Sequence, residues 1–209
     1  MIEQGSPEWK AARCGRATAS RMSDIMAKGK NGEPSRTRAS YMAELVSERL
    51  TGVPYESFVS ADMARGSEVE AEARFAYAFR TNENPQPAEF VEHPKIPMSG
   101  ASPDALIGED GLVEFKVPKT STHIDNIMAL KTGAKIDRAY ELQVAWQLAC
   151  TGRKWADLVS FDPRMPEHLK LVIRRVNRDE ALIRECERAV VEFLSETAAL
   201  VEKLKGMKL

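Results

Sequence analysis

The sequence predicts an α/β domain of three layers, a small central sheet between helices, and three observations carry that expectation. Apolar residues recur at three- and four-residue steps in the first third of the chain and again near its end. Short strand-like runs, two of them joined by turn residues, cluster in the middle. No internal repeat, low-complexity tract or Pro/Gly/Ser linker divides the 209 residues, a length that suits one domain over 1–209.

In chain order, Ser6-Pro7-Glu8 reads as an N-cap, a first-turn proline and an acidic residue at the positive end of a short helix running to about Cys14. Thr18 or Ser20 is expected to cap a second helix with Met22, Ile25 and Met26 on one face. Lys28-Gly29-Lys30-Asn31-Gly32-Glu33-Pro34 reads as a basic, flexible loop. Helices are expected from about Arg36 to Leu50, with Tyr41, Leu45 and Val46 inward, and from about Ser60 to Arg80. Strands follow at Glu89–Glu92, Ala105–Ile107 and Leu112–Val117, with Glu109-Asp110-Gly111 as the hairpin turn between the last two. Helices near Thr122–Leu130 and Arg138–Cys150 precede strands at Ala156–Phe161 and Leu169–Val176. A long amphipathic helix carrying Leu182, Cys186, Val190, Phe193, Val201 and Leu204 closes the chain.

Composition narrows the class. Hydrophobic residues make up 43 % and charged residues 29 %, with a mean hydropathy of −0.37, so neither disorder nor a membrane span is expected. The first residues lack the apolar stretch of a signal peptide, which predicts a soluble, cytoplasmic protein. Cys14, Cys150 and Cys186 form no C-x-x-C pair, and His93, His123 and His168 are scattered. A disulfide framework, a zinc site and a cysteine-ligated cluster are therefore unexpected. Net charge is −1, yet Lys10–Arg38 holds eight basic residues against two acidic, and Asp179–Lys205 holds seven acidic against four basic. That polarity suits a molecule presenting one face to a polyanion, and it equally suits ordinary solvated helices.

One cluster points to chemistry. Ser102-Pro103-Asp104 is followed after nine residues by Glu114-Phe115-Lys116. In a strand, Glu114 and Lys116 project to one face and Phe115 to the other, and across the hairpin Asp104 can lie opposite Glu114. Two converging carboxylates make a hard, oxygen-rich site suited to Mg²⁺ or Mn²⁺. A lysine beside them can orient an attacking water and balance phosphate charge, which are requirements of phosphodiester hydrolysis. The same residues would also serve a solvated hairpin with a cross-strand salt bridge. Glu114-Phe115-Lys116 has a second match at Glu8-Trp9-Lys10, whereas Pro-Asp occurs once. Glu70, one helical turn after Gly66, could bring a third acid to the site, or belong to an exposed glutamate-rich helix with Glu68 and Glu72.

An ordered set of residues extends this cluster along the chain: Glu3-Gln4-Gly5 and Trp9, Arg13 with Gly15 and Thr18-Ala19-Ser20, Gly66 with Glu70, the two motifs above with Pro118, Ala139-Tyr140 with Gln143-Val144, and Asp162-Pro163-Arg164-Met165. In this order they resemble the lambda-type phage exonucleases, the YqaJ-like viral recombinases of the PD-(D/E)xK nuclease superfamily. The resemblance implies a restriction-endonuclease-like core with a mixed sheet. It implies that Asp104, Glu114 and the Phe115 carbonyl ligate a divalent metal, that Glu70 holds a second ion directly or through water, and that Lys116 positions or activates the water. Gln143 would bond the nucleophile or scissile phosphate, with Tyr140 on the same helical face and Ser102 close by. Arg13, Thr18 and Ser20 would bind a DNA 5′-phosphate, a role suited to a guanidinium fork and small hydroxyls. Lys28 and Lys30 fall in a segment that meets the incoming duplex end.

What the resemblance implies for function is a Mg²⁺-dependent enzyme, with Mn²⁺ able to substitute and two ions per site. It would digest one strand of linear double-stranded DNA 5′→3′, processively, from a 5′-phosphorylated end. It also implies a toroidal homotrimer, a single-strand annealing protein as partner in phage-type recombination, and a phage or prophage origin within a bacterial host cell. An endonuclease of the same fold and a non-catalytic DNA-end-binding module are the alternatives.

Overall fold

The computed structural model describes residues 4–55 and 61–208, with the side chains of 61–68 outside that description. Helix α1 (Pro7–Arg13) starts as expected, the Ser6 hydroxyl accepting the Trp9 N–H at 3.1 Å. Strand β1 (Ala17–Thr18), a 3-10 turn (Ala19–Arg21) and a one-turn α2 (Met22–Ile25) follow. Neither Thr18 nor Ser20 caps this segment through its side chain, which corrects the expected cap: the Ser20 hydroxyl meets Arg13 and the Thr18 hydroxyl meets Ser20, as described below. The 28–34 segment is also not a slack loop. A bridge between Lys28 and Pro34 closes it, with Gly29 N–H donating to the Glu33 carbonyl at 2.7 Å, and Gly32 supplies the positive φ of +82° that the tight turn needs.

Helix α3 (Arg36–Thr51) is capped by Ser35 and buries Tyr41, Leu45 and Val46. Helix α4 (Ala61–Thr81) leads to three very short strands, β2 (Gln86–Pro87), β3 (Val91–Glu92) and β4 (Ser99–Ala101). The hairpin of β5 (Ala105–Ile107) and β6 (Gly111–Lys116) turns at Gly108, Glu109 and Asp110. The turn thus lies one residue earlier than expected. Gly111 is a strand residue, and a Cβ there would sit 2.2 Å from the Trp155 ring. Helices α5 (Thr120–Thr132) and α6 (Arg138–Thr151) come next, then β7 (Trp155–Phe161) and β8 (Leu171–Asn177). Residues 167–169 form a 3-10 turn rather than the start of β8. Helix α7 (Glu180–Lys205) is the last element, with Ile183, Cys186, Val190, Phe193 and Val201 buried and Leu204 exposed in its last turn.

Five strands form a mixed sheet in the order β2-β5-β6-β7-β8, in which only β6 and β7 run parallel. The second, smaller sheet has the order β1-β4-β3. Period-two alternation along β6 sends Leu112 to one apolar cluster and Val113 and Phe115 to another. The first cluster joins Leu112 and Ala156 to α6, α2, α3 and α7 through Trp146, Leu148, Met22, Tyr41 and Phe193. The second joins Val113, Phe115, Val159 and Phe161 to Ala73 and Tyr77 of α4. The result is the expected α/β core: α4 on one face, α6 on the other, and the long C-terminal helix behind α6. No helix among the described residues is long and apolar enough to cross a membrane.

Trp146 is the keystone of the first cluster. It is fully buried, stacks on His93 with ring centroids 4.7 Å apart, and donates from Nε1 to the Gly100 carbonyl at 3.2 Å. Replacing it with Ala should cost about 3–5 kcal/mol, read as a loss in denaturant-melt stability. A loss below about 1 kcal/mol would show that the cluster collapses onto the void.

Candidate active site

The β5–β6 register pairs Ala105 with Val113, so the residue before β5, Asp104, falls opposite Glu114. Because β5 begins only at Ala105, the Phe115 N–H meets no strand partner on that flank. The Asp104 carboxylate takes its place, with Oδ2 accepting that N–H at 2.6 Å. A strand residue points its N–H and C=O to the same flank, so the Phe115 carbonyl also looks toward Asp104. Across the strand, Glu114 lies against α6. Its Oε1 accepts from Lys116 Nζ at 2.8 Å and from Gln143 Nε2 at 2.6 Å, and its Oε2 accepts from Gln147 Nε2 at 2.5 Å. Gln143 closes the ring, its Oε1 accepting from Lys116 Nζ at 3.0 Å. The Lys116 ammonium stands 5.3 Å from the centroid of the Tyr140 ring. Beyond Lys116 an open cleft is lined by Tyr140, Lys135 and Arg174, among others.

Burial makes this cluster electrostatically tense. Asp104 and Glu114 are 7 % and 4 % exposed. Burial, then the charges of Glu114 and Glu70, push the Asp104 carboxyl well above its ordinary range, against the opposing pull of Lys116 and the Phe115 N–H. For Lys116, burial disfavours the charge, but Glu114, Asp104 and Tyr140 outweigh it and hold the ammonium above its ordinary value. Glu70 reaches the cluster from α4, on the opposite face of the sheet. Arg74, one turn further along, donates to Glu70 Oε1 at 3.2 Å and to the Asp104 carbonyl at 2.9 Å.

These groups suit a divalent cation in part. Carboxylates driven toward protonation first by burial and then by mutual repulsion are relieved by a cation between them, and the donors are hard oxygens. Among the described residues, however, no three Asp, Glu, His or Cys side chains converge as a ready-made cage. Asp104, Glu114 and the Phe115 carbonyl would supply the direct donors, water would fill the remainder, and Glu70 would act through water or after parting from Arg74.

A second cluster adjoins the first through Ser102. Arg13 donates from Nη1 to Ser102 Oγ at 3.1 Å and from Nη2 to Ser20 Oγ at 3.3 Å, and Thr18 Oγ1 lies 3.5 Å from Ser20 Oγ. The guanidinium stacks 4.1 Å above the Trp9 ring. Burial weakens the hold of Arg13 on its proton, but Glu114 and Glu48 counter it; an arginine keeps its charge regardless.

Most residues singled out by sequence are therefore brought together: Asp104, Glu114, Lys116, Gln143 and Tyr140 in one cluster, Arg13, Thr18, Ser20 and Ser102 in the other, and Glu70 between α4 and Asp104. Lys28 and Lys30 are not; both stand on the exposed turn and bond to neither cluster. Glu3 and the surroundings of Gly66 lie outside the described residues. Glu8 and Lys10 of the other E-x-K lie exposed on α1. Gln147, Arg74 and the stacking of Trp9 on Arg13 were missed. The signal for Gln147 was its spacing, one turn beyond Gln143 on the same helix, and Arg74 stands in the same relation to Glu70.

The fold is that of solved alkaline and phage-related exonucleases. The crystal structure of an alkaline exonuclease, LHK-Exo, from Laribacter hongkongensis is 44 % identical, with a TM-score of 0.86 over 96 % of each chain. That enzyme's complex with dAMP gives a TM-score of 0.87 at the same identity and coverage. A phage-related exonuclease from Haemophilus somnus 129PT shares the fold at 16 % identity, with a TM-score of 0.70 over 90 % of this chain and 96 % of that one. No curated protein sequence matches. The YqaJ-like viral recombinase domain matches residues 8–154, and the chain belongs to that family.

Proposed function

We propose that this protein is a divalent-metal-dependent exonuclease that digests one strand of linear double-stranded DNA in the 5′→3′ direction from a 5′-phosphorylated end. The observation that carries this reading is the junction of the two clusters. Ser102, bonded to Arg13, stands two residues before Asp104, so a terminal phosphate seated at Arg13 leaves the first internucleotide linkage within reach of the carboxylates. The family, and the exonuclease activity of its solved relatives, point the same way.

A bound Mg²⁺, or Mn²⁺ in its place, supplies charge neutralisation of the phosphate and a more acidic water. The chain does the rest. Asp104 and Glu114 hold the cation, with Glu70 available for a second ion. Lys116 keeps its proton and donates to the attacking water, orienting it. Gln143, bonded to both Lys116 and Glu114, fixes the lysine's direction, and Tyr140 walls the cleft. The fork of Arg13 with the hydroxyls of Thr18, Ser20 and Ser102 recognises the doubly charged terminal phosphate, which an internal linkage does not offer.

The test is a linear duplex labelled at its 5′ or 3′ ends, incubated with Mg²⁺ or EDTA beside a covalently closed circle. Progressive Mg²⁺-dependent loss from 5′ ends with an intact circle is expected. A cut circle favours an endonuclease, and two intact substrates favour an end-binding module. Arg13→Ala should reduce the preference for 5′-phosphorylated over 5′-hydroxyl ends by about 10- to 100-fold, the worth of one or two charge-assisted bonds. An unchanged preference relocates the phosphate pocket.

Processive digestion, a toroidal homotrimer and a single-strand annealing partner complete the reading, together with action in the cytoplasm of a bacterial host. Phe75 and Phe79, 72 % and 85 % exposed one turn apart on α4, offer apolar surface that an assembly would cover. A solution mass of three times the 23.3 kDa chain is expected; a monomeric mass would leave processivity to another mechanism.

A further inference from the structure

We infer that Gln147 is a positioning residue that restricts Glu114 to binding a metal through one oxygen, and thereby sets the preference of the site for Mg²⁺ over Ca²⁺. The inference rests on the metal-dependent reading above. Its starting point is an oddity of α6. Gln147 is fully buried, yet its Oε1 has no hydrogen-bond partner among the described residues. Its Nε2 makes one side-chain contact, to Glu114 Oε2 at 2.5 Å. A leucine or methionine there would satisfy the core without stranding a carbonyl, so packing alone does not account for a glutamine.

The direction of both amides is dictated by charge. The Gln143 Oε1 faces the Lys116 ammonium, so its Nε2 must face Glu114 Oε1. The Gln147 amide cannot turn its oxygen toward the carboxylate without placing two acceptors together. Glu114 is thereby gripped at both ends. Oε2 points into α6, toward Gln147, and Oε1 lies on the cleft side with Lys116 and Gln143. An ion entering from the cleft meets Oε1, where it would take the place of one of the two donors, while Oε2 stays turned into the helix with Gln147. Mg²⁺ demands near-octahedral geometry with single oxygens and retained waters, whereas Ca²⁺ accepts carboxylates through both oxygens at longer range. Holding Oε2 away penalises the larger ion. Glutamine suits this task because its amide is neutral: it occupies Oε2 without adding a cation that would repel the metal.

Gln147→Met keeps the length and volume of the side chain and removes the donor. In the metal-depleted full chain, isothermal titration with MgCl₂ and with CaCl₂ should show Mg²⁺ affinity falling about tenfold, as for other groups that orient a ligand, and the Ca²⁺-to-Mg²⁺ affinity ratio rising. A role confined to packing would lower both affinities together and leave the ratio unchanged, which overturns the proposal. Should the variant fail to fold, the wild-type chain labelled with ¹⁵N-glutamine answers the question. The Gln147 side-chain amide should stay slowly exchanging as MgCl₂ is added. Its release on Mg²⁺ addition would mean that Oε2 joins the metal, and the proposal falls. A wild-type chain that binds neither ion and cuts no DNA overturns the metal-dependent reading itself. A wild type that binds and cuts beside an unaltered Gln147→Met ratio overturns the Gln147 assignment alone.

Discussion

Replacing Lys116 with Ala is expected to lower DNA cleavage by about 10²- to 10⁴-fold, the range for losing a positioned proton-donating or proton-accepting group, while leaving metal-dependent DNA binding in place. The lysine is held between Glu114 and Gln143 at 2.8 and 3.0 Å, and its neighbours hold its proton more tightly than usual. On the proposed reading it would serve as a fixed donor to the attacking water rather than as a base, and truncation to alanine removes both the charge and its direction. Glu114 keeps the amide donors of Gln143 and Gln147, so the fold should survive. Single-turnover cleavage of a labelled duplex, beside binding of the same duplex without turnover, separates the two effects. Wild-type turnover in a folded Lys116→Ala protein would remove the lysine from the mechanism.

Asp104→Asn should abolish cleavage and stabilise the metal-free protein. The Asp104 carboxyl is raised well above its ordinary value of 3.8, first by burial and then by Glu114 and Glu70. A group that binds its proton more tightly in the fold contributes stability below its ordinary value, and that contribution is lost as pH rises through the folded value. Metal-free wild type should thus lose stability as the pH climbs above 3.8 toward the raised value, as the buried carboxylate is forced to ionise. Asn keeps an oxygen for the Phe115 N–H and carries no charge, so this pH dependence should flatten. Each 1 kcal/mol relieved raises Tm by roughly 2–4 °C in a chain of this size. Melting curves in EDTA between acid and neutral pH test it. An Asp104→Asn protein that melts at or below the wild type at neutral pH would show that ionised Asp104 is well accommodated. Mg²⁺ should raise the Tm of the wild type and not that of the variant.

These expectations tie function to instability. Two buried carboxylates with the charge of Glu70 nearby are a poor way to build a core, and a cation between them would relieve that cost. Arg74 tempers the arrangement by pairing with Glu70 and bracing the Asp104 carbonyl.

Local signals legible in the sequence were those whose cause is local. Ser6 caps α1 because its hydroxyl needs only the N–H three residues on. Apolar spacing marked α3 and α7 because each buries one face. Period two along β6 separated Glu114 and Lys116 from Phe115, and the hairpin placed Asp104 opposite Glu114 before any contact was known. The resemblance then drew Arg13, Thr18, Ser20, Glu70 and Gln143 toward the same site.

Tertiary structure alone decided the remainder. Strands β1, β2 and β4, two or three residues each, are too short to show a periodicity, and β1 takes its partner β4 from some 80 residues along the chain. The hydroxyls of Thr18 and Ser20 could equally cap a helix until packing sets Ser20 against Arg13 and Thr18 beside Ser20. The partners of Glu114 and Asp104, Gln147 and Arg74, follow from which helix meets which face of the sheet. A side chain's alternation is a property of its own strand, but the donor it meets is set by how the helices pack, and burial, which gives Asp104 its raised pKa, exists only once the core has closed.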